Sequence, residues 1–99
     1  MADGLKRAAA AAKATRLSDR QEYALLAMAD WDEAVTGGVL AGEMSRKGRE
    51  TSPAGAHQAA NGLVLKGLAI KGYLGDGHVI RYELTAAGRA EARKRRGRQ

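Results

Sequence analysis

The stretch TSPAGAHQAANGLVLKGL, residues 51–68, limits the possible folds more than any other part of the chain. Ser52 is a good helix N-cap and Pro53 suits the first helical position. Gly67 supplies the stop. At about 100° per residue, Ala56, Ala59, Ala60 and Leu63 share one face. Ala54, His57, Gln58, Asn61 and Leu65 share the opposite one. The first face is small and apolar, so other helices can come close to it. The second is uncharged and rich in hydrogen-bonding groups, where a helix that only needs solvation usually carries Glu and Lys. Gln and Asn amides match the edge of adenine bidentately, and a histidine ring donates or accepts. Gln and Asn are also ordinary on an exposed helix, and Leu65 fits a polar reading face poorly.

The elements around this helix follow from local signals. Residues 1–16 form a basic, Ala-rich arm or helix carrying Lys6, Arg7, Lys13 and Arg16; alone it is marginal as a helix in water. Ser18 and Gln21 read as a capping box, so a helix starts there and runs through QEYALLAMADW to about Glu33 or Ala34. It is apolar on two sides: Leu25, Leu26 and Ala29 on one, and Ala24, Met28 and Trp31 on the other. Such a helix is either deeply buried or meets a second chain, so Ala24, Met28 and Trp31 are candidates for a partner protein. Asp30, Asp32 and Glu33 gather at its C-terminal end, where the helix dipole disfavours them. They read as an acidic rim.

Thr36 caps a second helix over residues 37–47, with Val39, Leu40 and Met44 buried, and Gly48 ends it. The connection Arg49-Glu50-Thr51 is short, so the two helices must cross steeply, as in a helix-turn-helix. After Gly67 the pattern changes period. Asp76-Gly77 between runs of alternating apolar residues is a strong hairpin signal. Ile80, Tyr82 and Leu84 are expected to face inward, against Leu68 and Ile70. Lys71, His78 and Arg81 are expected toward the open side of the hairpin. A two-stranded hairpin cannot stand alone and must pack on the helices. Thr85 caps a last helix, and residues 93–99 form a basic tail.

Composition narrows the chemistry. A chain of 99 residues makes one small domain. Its net charge of +6 favours an acidic partner, above all nucleic acid. Cysteine is absent, which excludes disulfides, thiolate metal sites and thiol catalysis and suits a reducing cytoplasm. Phe is absent and aromatic residues are few, so stacking platforms for single strands are poorly supplied. His57 and His78, the only histidines, lie far apart in the sequence and have no metal-ligand or triad spacing around them. No catalytic residue, metal or cofactor is expected.

Helix, helix, helix, hairpin, helix is the order of a winged helix-turn-helix domain. The residues LKGLAIKGY and IRYELTAAGR resemble the corresponding stretch of the MarR and PadR families of bacterial regulators, with Leu63, Gly67, Leu68, Tyr82, Leu84, Thr85 and Gly88 at matching positions. The resemblance spans residues 17–92. The chain departs from those families in its longer, Gly-rich turn GRETSPAG and in its short basic ends. The resemblance implies an α+β fold: a three-helix core, a two-stranded β-hairpin wing and a short C-terminal helix. It also implies that residues 52–66 enter a DNA groove, with the wing beside them.

The expected function is thus sequence-specific binding of double-stranded DNA for transcriptional control in a bacterium or phage. His57, Gln58 and Asn61 would read base edges. Arg46, Arg49, Thr51 and Ser52 would hold phosphates, and Lys71, His78 and Arg81 would touch the flanking backbone or minor groove. A homodimer on a palindrome is the commonest mode for such domains, and the protein would sit in the cytoplasm with the nucleoid. Two other readings stay open: an architectural or accessory DNA-binding protein, and a winged helix that binds a protein.

Overall fold

The computed structural model describes residues 16–74 and 79–96. The basic arm over residues 1–15, the Asp76-Gly77 turn with His78, and the last three residues lie outside this set. Among the described residues, four helices and a three-stranded antiparallel sheet follow in the order α1 (Asp19–Ala29), β1 (Val35–Thr36), α2 (Gly37–Arg46), α3 (Pro53–Leu65), β2 (Ala69–Leu74), β3 (Val79–Leu84) and α4 (Ala86–Arg96). Among the described residues no helix is long and apolar enough to cross a membrane.

Each helix begins where a side chain satisfies its free N–H groups. Ser18 and Gln21 close a full capping box on α1. Thr36 accepts from the Val39 N–H at 3.2 Å, and Ser52 from the Gly55 N–H at 3.1 Å. Glycine ends α2 and α3. Gly48 and Gly67 take φ of 108° and 77°, a region in which a Cβ is strained. Around Gly48, the Arg49 N–H reaches back to Met44 O and the Gly48 N–H to Ser45 O. Around Gly67, the Leu68 N–H reaches Leu63 O and the Gly67 N–H reaches Val64 O. Both are Schellman motifs, which satisfy the last carbonyls and turn the chain sharply.

Helix α1 is shorter than its apolar pattern suggests. It ends at Ala29, with Asp30 as C-cap. The carboxylates of Asp30, Asp32 and Glu33 oppose the negative end of a helix, and stopping before them removes that conflict. Trp31 consequently lies beyond the helix. Ala24 and Met28 are 0% and 2% exposed, in one cluster with Leu25, Leu40, Met44, Leu63 and Tyr82. The expected docking stripe Ala24–Met28–Trp31 is corrected accordingly: its helical members are this chain's own core. Of the two ways to use a helix apolar on two sides, the chain takes burial.

The sheet differs from a plain hairpin by one short strand. Its order is β1-β3-β2, and Val35 and Thr36 pair with Tyr82 and Arg81. In the hairpin, Ala69 stands opposite Leu84 and Ile70 opposite Glu83. That register turns Ala69 inward and leaves Ile70 55% exposed, so the expected inward place of Ile70 is corrected. Tyr82 and Leu84 are buried as expected, and Ile80 is half-buried.

The joint between α3, the sheet and α4 explains the Gly-Leu and Leu-Thr-x-x-Gly pattern. The Thr85 hydroxyl donates to Gly67 O at 2.8 Å and accepts from the Gly88 N–H at 3.0 Å, while the Thr85 N–H donates to Leu68 O at 3.0 Å. A Cβ on Gly88 would stand 2.0 Å from Leu68 O. One threonine thus starts α4 and fixes it to the end of α3, and the glycine lets the two backbones touch. Helix α4 runs on through Arg96, into the stretch read as a tail. Its cations turn back onto the rest of the domain. Arg95 pairs with Glu22 at 3.3 Å, Arg96 with Asp30, and Arg89 donates to Trp31 O.

Candidate nucleic-acid interface

Helix α3 sits on the domain by its smallest side chains. Gly55, Ala56, Ala59, Ala60 and Leu63 are buried, against α1, α2 and the sheet. On the α1 side Gly62 makes room for a long polar group of the neighbouring helix: a Cβ there would stand 2.2 Å from Gln21 Nε2. Gly55 lies against its own turn, where a Cβ would stand 3.2 Å from Thr51 Cγ2. Turned away from the core are Ala54, Gln58 and Leu65, all exposed, with Asn61 half-buried among them. These four fall within about 60° of arc.

The turn before α3 is held by its own side chains. The Thr51 hydroxyl donates to Arg49 O at 2.6 Å, and the Thr51 N–H donates to Ser45 Oγ at 3.1 Å. Ser45 in turn donates to Ala41 O in α2. With the Ser52 hydroxyl capping α3, both hydroxyls expected at phosphates are engaged in the turn. Arg49 stands beside Asp19, Nε to Oδ2 at 3.4 Å, and the exposed Arg46 pairs with Glu43.

His57 is turned toward the sheet. Its Nδ1 and the Tyr82 hydroxyl are 2.8 Å apart, with the two rings edge to face. On its other side the ring fills the space above Gly37, where a Cβ would lie 2.2 Å from Nε2. Burial raises the Tyr82 hydroxyl above the ordinary tyrosine range, and a hydrogen bond from Asn61 partly offsets this. The Asn61 Oδ1 accepts from Lys71 Nζ at 3.4 Å. The His57–Tyr82 and Asn61–Lys71 contacts are thus two polar links tying α3 to the hairpin. Gln58 makes no hydrogen bond among the described residues and lines a shallow depression with Arg20, Arg49 and Ala59.

Of the residues singled out in the sequence, the structure brings Arg49, Gln58, Asn61 and Lys71 to the α3 side. Lys71 and Arg81 lie on opposite faces of the hairpin, because Lys71 shares the face of its partner Tyr82 and Arg81 alternates with Tyr82. His78 lies outside the described residues. Sequence reasoning missed Arg20 and Lys66. Arg20 stands in the first turn of α1 beside α3, and Lys66 Nζ donates to Gln21 Oε1 at 2.9 Å and to Arg16 O. Gly62 was the available signal for the α1 side, since a glycine there leaves room for Gln21, which in turn accepts from Lys66. Among the described residues no cluster of His, Asp or Glu could hold a metal ion.

No protein-family model and no curated protein matches the chain. Solved structures do. The chain is similar to ZitR, a zinc-responsive MarR family member of Lactococcus lactis, with a TM-score of 0.66 and 23% identity over 84% of this chain and 54% of that one. It is similar to the adhesin competence repressor AdcR of Streptococcus pyogenes, at 0.67 and 20% identity over 97% and 69%. RosR of H. salinarum gives 0.70 and 25% over 85% and 74%. One matching ZitR structure is a complex with DNA, at 0.65 and 22% over 83% and 52%. The chain spans about half the length of ZitR. By element order, sheet topology and these likenesses, the chain has the winged helix-turn-helix fold seen in the MarR family member ZitR.

Proposed function

We propose that the chain is a non-enzymatic regulator that binds double-stranded DNA sequence-specifically, with α3 in the major groove and the β2–β3 hairpin as its wing. One observation carries this reading. Helix α3 turns an uncharged stripe outward, centred on the unpartnered Gln58, and cations from three other segments frame it: Arg20, Arg49 and Lys71. Such a frame suits a duplex, in which phosphates flank base edges that carry the sequence. The DNA complex of ZitR, which shares this fold, supports it.

Gln58 reads a base edge, and Asn61 reads a second through whatever its contacts with Tyr82 and Lys71 leave free. Arg20, Arg49, Lys66 and Lys71 hold phosphates, with Arg46 at the margin. His57 acts by fixing the angle of α3 through Tyr82. Thr51 and Ser52 act by holding the turn. A homodimer on two half-sites about one helical turn apart is part of this proposal, as is work in the cytoplasm beside the nucleoid. The test is selection from random duplexes followed by affinity measurements across salt. An enriched sequence, with log K falling by about 7 units per tenfold rise in salt for a dimer making four phosphate contacts per chain, supports the reading. Binding without enrichment would favour an architectural role.

A further inference from the structure

Leu65 is 88% exposed, more than Val39, Ile70, Tyr73 or Val79, the other exposed large apolar side chains among the described residues. It stands on the same stripe of α3 as Gln58, within about 20° of it around the helix axis. Neighbours on both sides are polar: Lys66 held by Gln21 and the Arg16 carbonyl, and Asn61 held by Lys71. A leucine in that place is left without an apolar neighbour on its own stripe except Ala54. In the major groove each base pair offers hydrogen-bonding groups, and thymine alone adds a methyl group at C5.

Resting on the DNA-binding reading, we propose that Leu65 is a specificity residue whose side chain meets the C5-methyl of a thymine. Gln58 meets an adenine on the same stripe, so the half-site is A·T at both positions. Seven residues of helix separate the two side chains by about 10 Å along the axis, or about three base-pair steps if α3 lies along the groove.

The experiment uses the full chain and the duplex enriched by selection. Each thymine is replaced in turn by deoxyuridine, which keeps the pairing edge and removes only the methyl. The wild-type protein should lose about fourfold in affinity, the worth of one methyl withdrawn from contact, at one thymine about three steps from the adenine that Gln58→Ala identifies. Leu65→Ala should bind the thymine and uracil duplexes equally, with an unchanged melting temperature because the side chain is exposed. Equal wild-type affinity for every uracil duplex would overturn the assignment, as would Leu65→Ala that still discriminates. A lower assembly mass for Leu65→Ala in sedimentation, with discrimination intact, would also overturn it and place Leu65 at a protein contact. Failure of any duplex to enrich overturns the sequence-specific reading on which this proposal rests, whereas an enriched site indifferent to uracil overturns only the thymine contact.

Discussion

Two single residues carry consequences out of proportion to their size. Gly88 has no room for a side chain, because Leu68 O occupies the place of its Cβ. The obstacle is backbone, which cannot rotate away. Gly88→Ala should lose about 1–3 kcal/mol in urea denaturation through overpacking, and an unchanged midpoint would mean that α4 shifts freely. Asp30 is the second. Its carboxyl is held below the ordinary aspartate range, first by a hydrogen bond from Lys47 and then by the charges of Lys47 and Arg96, against some opposing desolvation. Lys47 Nζ lies 2.6 Å from Asp30 Oδ2. A carboxyl with a depressed folded pKa adds stability above its unfolded pKa, near 3.9, and loses it as pH falls through the folded value. Wild-type stability should therefore fall more steeply below about pH 4 than that of Asp30→Asn. At neutral pH the substitution should cost no more than about 1 kcal/mol, since the Asp30 side chain is over a third exposed. Parallel acid-range curves for the two proteins would show that the cluster is inert.

At the scale of elements, the sequence announced what local chemistry decides. Ser18, Thr36 and Ser52 cap helices because each hydroxyl stands within reach of N–H groups in its own first turn, and Gly48 and Gly67 stop helices through their own backbone angles. What the sequence concealed depends on distant partners. Strand β1 is two residues long and has no period of its own; it exists because β3 offers it an edge. Ile70 faces out because the hairpin register sets Ala69 against Leu84. The candidate interface follows the same division. Gln58 was legible from its helical position, while the inward turn of His57 depended on Tyr82, 25 residues away. That contact gives an element-scale prediction. Tyr82→Phe removes the hydroxyl that faces His57 Nδ1 and should cost about 0.5–1.5 kcal/mol of stability. If it also weakens DNA binding on every sequence alike, the loss lies in the seating of α3 and not in base reading. No change in either quantity would remove the His57–Tyr82 link from the account.

For the whole molecule, charge is arranged by element. The cations of α4 are largely spent on α1 and its end, through Glu22, Asp30 and the Trp31 carbonyl. Arg20, Arg49, Lys66 and Lys71 remain around α3. The net charge of +6 is thus a poor guide to where a polyanion would lie, and the side chains around α3 are a better one. This separation predicts that charge removal near α3, as in Arg20→Ala with Lys71→Ala, shallows the salt dependence of the dimer by about 4 units of slope. Arg93→Ala with Lys94→Ala, on the outer side of α4, should leave the slope as it is. The central claim is that α3 reads base edges through its outward stripe. Its most direct test is the affinity of wild type and Gln58→Ala on the selected duplex and every single-base variant of it. The account predicts that Gln58→Ala loses about 1–3 kcal/mol of discrimination at one base pair and keeps it elsewhere. Uniform weakening across all variants would contradict it.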